Sequence, residues 1–145
     1  MKSEVIGMKE LLKYVGDLEK LPQRVVTKSA KQGAAIALAS ARQNAPKGKT
    51  GNLRKGITLK GEKSRAQGKK VYQVTFNEKY NDKFVKLTKA GKRYYYPASQ
   101  EYGFRTIDGG RVEGKHFMKE ALTDNAQQID KTIIDELIKE IDKLK

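Results

Sequence analysis

The hydrophobic period changes twice along this chain, and those two changes restrict its fold more than any other feature. Up to about Asn44 apolar residues recur at three- and four-residue steps. From Leu53 to about Ile107 apolar and polar residues alternate, and from Phe117 the helical step returns. Helix, then strands, then helix, with no regular strand–helix alternation, predicts an α+β fold. The expected architecture is an antiparallel sheet packed by a long helix in the N-terminal half and a long C-terminal helix. In 145 residues the simplest arrangement is one domain, 1–145, with helices over 5–45, the sheet over 53–107 and the last helix over 117–144.

Within this frame the residues predict finer detail. A first helix covers about Val5 to Lys20, with Met8, Leu11, Leu12, Val15 and Leu18 on one face. Pro22 interrupts or restarts it. A second helix then runs to Asn44, striped by Val26, Ala30, Ala34, Ala37 or Leu38, and Ala41, with Gly33 beside the stripe. Pro46 stops it, because the residue before a proline is pushed out of the α region. "ITLKGE" and "KKVYQVTFNE" read as an antiparallel strand pair. "KFVKLTK" and "KRYYYPAS" read as further short strands around Gly91, and "IDGGRVEGK" as a glycine-rich loop. The terminal seam of Met118, Leu122, Ala126, Ile129, Ile133, Leu137, Ile141 and Leu144 predicts one helix roughly 40 Å long. That exceeds what a small sheet needs. The distal part, Ile133 to Leu144, is therefore expected to serve assembly, and truncation after Asp130 to leave a folded domain.

Charge is unevenly spread. Residues 1–20 are neutral, residues 21–119 carry 23 Lys/Arg against six acids, and residues 120–145 carry four Lys against seven acids. The middle, at +17, is attracted to polyanions or acidic protein surfaces, while the tail is acidic. Solubility alone is the plainer explanation of the same charge. With no cysteine, disulfides and thiolate metal sites are excluded. No apolar run approaches the roughly 20 residues of a membrane span. The first residues carry acids from Glu4 onward and no signal-peptide core, so a soluble protein made in a cytoplasm is expected.

Gly48-Lys49-Thr50 spells the end of a nucleotide-binding P-loop, but the first glycine of that motif is replaced by Gln43. The segment before the triplet reads as helix and the segment after it as strand, the reverse of what phosphate cradling needs. His116 is the sole histidine, and the six acids of the middle show no paired acid and base. No catalytic residue, cofactor or metal site is indicated. Three tyrosines in a row, Tyr94 to Tyr96, flanked by Lys89, Lys92 and Arg93, have the composition of a base-stacking surface. Alternation sends Tyr95 to the face opposite Tyr94 and Tyr96, which is ordinary strand packing.

"NAPKGKTGNLRKGI" resembles the A-P … T-G-x-L-R-x-S-I signature that follows the long helix in a family of tailed-phage neck proteins. These are head–tail joining or tail-completion components of siphophage-like particles. Ala45, Pro46, Thr50, Gly51, Leu53, Arg54 and Ile57 carry the resemblance, and Gly56 replaces the usual small polar residue. "YYYPASQEYGFRT" is similar to a second motif of that family through Ala98, Glu101, Tyr102 and Gly103, with Thr106 displaced by two. "GKHFMKEAL" is similar to a third through Phe117, Met118, Ala121 and Leu122, with His116, Lys119 and Glu120 departing.

The resemblance implies a non-enzymatic virion or prophage protein at the head–tail neck, assembled in the bacterial host cytoplasm. It implies a homo-oligomeric ring contacting connector or stopper proteins on one side and tail-tube or tail-terminator proteins on the other. Non-specific contact with DNA in the channel, and none with membrane, goes with that reading. The residues themselves read structurally. Pro46 ends the helix, Gly51 permits a tight reversal, Leu53 and Ile57 enter the sheet facing the core, and Phe117 and Met118 anchor the terminal helix. Arg54 and Glu101 either pair where the motif strands meet or are both solvated. A small basic cytoplasmic nucleic-acid-binding protein is the alternative that the charge supports. Calorimetric titration with ATP and magnesium is expected to show no saturable site; one abolished by Lys49→Ala would overturn the reading of the triplet.

Overall fold

One helix, α1 (Met8–Asn44), carries the rest of the protein. The computed structural model describes residues 8–64 and 66–143. Val5 and Leu144 lie outside the described residues, as do the side chains of Met8, Leu11 and Leu12. At 1.5 Å per residue α1 is roughly 55 Å long, and Pro22 sits inside it without breaking it. This corrects the expected break into two helices. An internal proline withdraws the donor for the carbonyl four residues back and crowds that turn. Here the adjoining turn gains outside partners from the loop after the first strand. Gln67 Nε2 donates to the Glu19 carbonyl at 2.6 Å, Gln23 Nε2 donates to Ser64 Oγ and to the Lys69 carbonyl, and Gly68 N donates to Gln23 Oε1.

Every fourth residue of α1 from Val25 onward is buried: Val25, Ser29, Gly33, Ala37, Ala41 and then Ala45 just past its end. The predicted stripe through Val26, Ala30 and Ala34 lies one position to the side and is half-buried. The buried ridge is built of small residues, so whatever packs on it approaches the backbone closely. Ser29 satisfies its hydroxyl internally by donating to the Val25 carbonyl at 2.8 Å.

Pro46 and the following turn end α1. The chain then forms a short helix, α2 (Asn52–Gly56), where a strand was expected from Leu53. The left-handed Gly51, at φ 68°, starts this turn, and Thr50 Oγ1 accepts from Asn52 N. Strands β1 (Ile57–Gly61) and β2 (Tyr72–Phe76) pair antiparallel from Ile57↔Phe76 to Gly61↔Tyr72. A helical turn at Glu78–Tyr80, capped by the Asn77 side chain, leads into α3 (Asn81–Phe84). Strands β3 (Val85–Leu87) and β4 (Arg93–Tyr95) pair around Gly91, as expected. Helix α4 (Tyr96–Tyr102) replaces the predicted strand end at Pro97, which suits its first turn.

Beyond α4, the glycine-rich stretch is a hairpin of β5 (Gly103–Arg105) and β6 (Arg111–Glu113) around Gly109, rather than an open loop. The fold is α+β with antiparallel pairing and long flanking helices, but its strands form three two-stranded ribbons instead of one sheet.

The expected single terminal helix is two, α5 (Phe117–Thr123) and α6 (Ala126–Asp142). Asn125 makes the break: its side chain donates to the Ala121 carbonyl at 3.0 Å, and its own carbonyl accepts the first bond of α6 from Ile129 N. Both helices run along α1 in the same sense, α5 beside Ala41 and Ala45 and α6, roughly 25 Å long, from Gly33 toward Lys28. Ile129 and Ile133 sit over Gly33, where an added Cβ would stand 2.6 Å from Ile133 Cγ1. The distal helix was expected to serve assembly more than folding, and its Ile133 belongs to the molecule's own packing. Lys28 of α1 meets Glu136 at 3.2 Å and also bonds Glu140. Hydrogen bonds from Lys28 and Lys143 hold the Glu140 carboxyl at about 2, below its ordinary 4.5.

The core lies at the C-terminal end of α1. Ala41, Ala45, Leu53, Ile57, Phe84, Phe117 and Ala121 are buried there, with Phe76 and Tyr95 against them. Phe76 meets the rings of Phe84, Tyr95 and Phe117 edge-on at 5.8–6.4 Å. Tyr95 and Tyr96 both pack against this core while Tyr94 is exposed, because α4 begins at Tyr96 and ends the strand alternation there; burial pushes the Tyr95 phenol pKa up. Overpacking the ridge is expected to weaken the α1–α6 contact. Gly33→Leu should cost about 1–3 kcal/mol in urea unfolding, and Ile133→Ala in the same chain should recover part of the loss. Unchanged stability in Gly33→Leu would mean that α6 does not pack there.

Candidate functional site

The motif residues converge on two joints that fix the ends of helices. At the first, the turn after α1 is held from both sides by arginines. Arg54 Nε donates to the Ala45 carbonyl at 2.7 Å, closing the end of α1, where free carbonyls and the helix dipole favour a cation. Arg42, in the last turn of α1, donates through Nε and Nη2 to the Ile57 carbonyl at 2.9 and 2.7 Å. Pro46, Thr50 and Gly51 shape the loop between, and Leu53 and Ile57 go into the core, Leu53 from a helical turn. Gly48 and Gly51 both take left-handed φ values. Gly48-Lys49-Thr50 thus lies between a helix end and a five-residue helical turn, and among the described residues no strand precedes it.

Gly56 departs from the family signature for a visible reason. A Cβ there would stand 2.4 Å from Phe84 Cζ, so the phenylalanine ring occupies the space that a serine side chain would need.

At the second joint, the Glu101 carboxylate, 6% exposed, accepts from Met118 N at 2.9 Å and Lys119 N at 3.1 Å. It satisfies the otherwise unpaired amides at the start of α5, and its charge suits that helix end. Its own carbonyl accepts from His116 N at 3.2 Å. His116 adopts φ 48°, φ 48° being a positive value rare outside glycine, and so turns the chain into Phe117, which is fully buried. Met118 packs half-buried beside it. The backbones cross so closely that a Cβ on Gly103 would meet the Val112 carbonyl at 2.2 Å, and one on Gly114 the Glu101 carbonyl at 2.2 Å. Gly103 also needs its φ of 81°.

Arg54 and Glu101 do not pair. Each is bound to backbone at a different joint, and no ion pair links them among the described residues. Sequence reasoning chose both residues and mistook their partners, because a charge bonded to a helix end leaves no pattern of opposite charges. It missed Arg42 and Lys28. Arg42 had the position of a cation in a last helical turn, and the four-residue spacing of Glu136 and Glu140 marks the α6 face that Lys28 meets.

Between the second joint and α1 runs an open groove of about 950 Å³. Ala30, Ala34 and Ala37 form one side, Val71 to Thr75 another, and Leu122, Ile129 and Ile133 a third. Lys70, Lys119 and His116 also line it. Ile107, at the β5–β6 tip, is 99% exposed, and Phe104 and Val112 form an exposed cross-strand pair behind it.

The motif side chains serve helix ends and core, and the remaining surface offers apolar contact and positive charge. Among the described residues no group of His, Cys, Asp and Glu is placed to ligate a metal, and no helix is long and apolar enough to cross a membrane. The described motif residues are those of a structural domain, holding helix ends and core together. Residues 9–95, more than half of the chain, match the family described as "Bacteriophage HK97-gp10, putative tail-component", and the protein belongs to that family. It is a structural phage tail component and not an enzyme. The match takes in α1, the first joint and both ribbons through β4; the second joint lies beyond it. Comparisons with curated proteins and with solved structures find no match for the chain.

Because Arg54 and Glu101 share no partner, their effects on stability should add within about 0.5 kcal/mol in a double-mutant cycle. Glu101→Ala alone, stripping a charged acceptor from two amides, should cost about 2–4 kcal/mol. A coupling of several kcal/mol measured by chemical unfolding would restore the direct pair.

Proposed function

We propose that this tail component acts at the neck, joining the head connector to the tail as a subunit of a ring. In this reading the chain is a single joining domain, 1–145. It meets connector or stopper proteins on one side and tail-tube or tail-terminator proteins on the other, in a virion assembled in the host cytoplasm. The observation that carries the reading is the family match over residues 9–95. The three ordered motifs that resemble neck and tail-completion proteins narrow it. Pro46, Thr50, Gly51, Leu53, Arg54, Glu101, Gly103, Phe117 and Met118 serve assembly indirectly, by holding α1 and α5 at fixed angles beneath the surfaces that bind neighbours. Deleting the gene from its phage or prophage should leave filled heads and complete tails that do not join, visible by electron microscopy. Normal particles without the protein would refute the neck role.

The +17 of residues 21–119 supports a second reading, direct nucleic-acid binding. The charge is spread over α1, the loops and the ribbons, and no short helix gathers base-reading residues beside a basic flank. Such a surface neutralises phosphates without reading bases. With about six phosphate contacts, affinity for DNA should fall roughly a thousandfold between about 50 and 200 mM salt. Fluorescence anisotropy with unrelated oligonucleotides measures this. Tight, sequence-selective binding at the higher salt would favour the nucleic-acid reading over the neck.

A further inference from the structure

Helix α6 has two apolar faces, and the molecule itself uses only one. Ile129 and Ile133 face α1 and the groove. Ile134, Ile138 and Ile141 are 54%, 53% and 52% exposed, although they recur at steps of four and three on a single stripe. At 100° per residue, Ile138 lies roughly 180° around the helix from Ile129. Such a repeated stripe of large aliphatic residues, all about half exposed, differs from the scattered apolar residues of an ordinary surface. Exposed Asp130, Asp135 and Asp142 flank it against one exposed lysine, Lys131, beside Ile138, so this side of the helix is net acidic.

The groove offers the complementary surface. Alanine, valine, leucine and isoleucine make most of its apolar surface, Gln73 and Thr75 interrupt it, Leu122 is 56% exposed at one edge, and Lys70 and Lys119 supply positive charge while Glu101 is buried in its joint. Groove and stripe lie on opposite sides of the same helix, so one molecule cannot bring them together. Two copies can. An acidic, isoleucine-faced helix from one copy and a lysine-bearing apolar groove on the next are matched in both polarity and charge sign. Because the two surfaces differ, the contact runs head to tail, and repeating it gives a ring where the rotation closes.

We infer that the outer stripe of α6, centred on Ile138, seats in the groove beside Leu122 of a second copy of this chain. This contact rests on the ring reading above and specifies how neighbouring subunits would meet. It divides the labour of α6: Ile129, Ile133 and Leu137 hold the monomer, while Ile134, Ile138 and Ile141 hold the neighbour.

Because the chain has no cysteine, site-directed linkage reads the contact cleanly. Leu122→Cys and Ile138→Cys proteins, mixed at high concentration with a short bismaleimide, should give a covalent dimer. Neither alone should do so, and a Lys89→Cys control mixed with Leu122→Cys should stay unlinked. A chain carrying both Leu122→Cys and Ile138→Cys should give a ladder of multimers. Ile134→Asp with Ile138→Asp should abolish the ladder and lower the mass measured by light scattering, while circular dichroism stays native because both positions are exposed.

Absence of linkage in the mixture would overturn the proposal. So would Ile138→Cys linking chiefly to itself, which would mean a stripe-to-stripe twofold contact, or linkage of the Lys89→Cys control to the same extent. The two readings fail separately. A ladder from a protein whose deletion leaves heads joined to tails retains the contact and removes the neck role. Lost joining without a ladder does the reverse.

Discussion

The buried ridge of small side chains on α1 is the constraint on which the other elements depend. Ser29, Gly33, Ala37, Ala41 and Ala45 present little more than backbone, so their neighbours come close enough to share one narrow core. Over Gly33 the neighbour is α6; at Ala41 and Ala45 it is the aromatic cluster with α5 and the motif turn. A larger residue would have to displace a whole helix or ribbon, because close-packed interiors do not absorb an extra side chain by local adjustment. The large residues stand on the partners instead: Ile133 on α6, Phe117 on α5, and Phe84 and Ile57 beside the first ribbon. The ridge is smooth so that its partners can be bulky.

Electrostatics then fixes the ends of what packing brings together. Arg54 closes α1, and Glu101 opens α5. Each places a full charge against the partial charge of a helix terminus, and each is partly or wholly withdrawn from solvent. Neither contact involves a second charged side chain, which frees the joint from any need to match two long, flexible partners. The surface of the same molecule works differently. There the half-exposed Lys28 bridges α1 to two largely covered carboxylates of α6, and solvent and salt at the lysine reduce the contribution.

Much of the architecture was legible because period is a strong signal. The helix–strand–helix order, the β1–β2 pair and the β3–β4 turn at Gly91 all follow from spacing alone. What sequence misread were places where a tertiary partner overrides a local rule. Pro22 should end a helix, but Gln67 and Gln23 tie the surrounding turn to a loop more than 40 positions away. Leu53 begins an alternating stretch, yet Gly51 starts a helical turn there first. The apolar seam from Met118 to Ile141 is continuous in spacing, and it hides the interruption at Asp124 and Asn125, where the Asn125 side chain bonds the Ala121 carbonyl. The Arg54–Glu101 pairing failed for a related reason: their partners are backbone atoms, which have no letter in a sequence.

Dividing the strands into three ribbons also bears on how quickly the chain can find its fold. Each strand pairs with its immediate neighbour in sequence, across one short connection, and none reaches past another to a distant partner. Closing such loops removes little chain entropy, so each hairpin can form by itself on a microsecond scale. The slow, long-range step is then the return of α5 and α6 to α1, from the far end of the chain. Until that step, the part of the ridge around Gly33 that α6 covers stays open, even where the first ribbon already lies against Ala41 and Ala45.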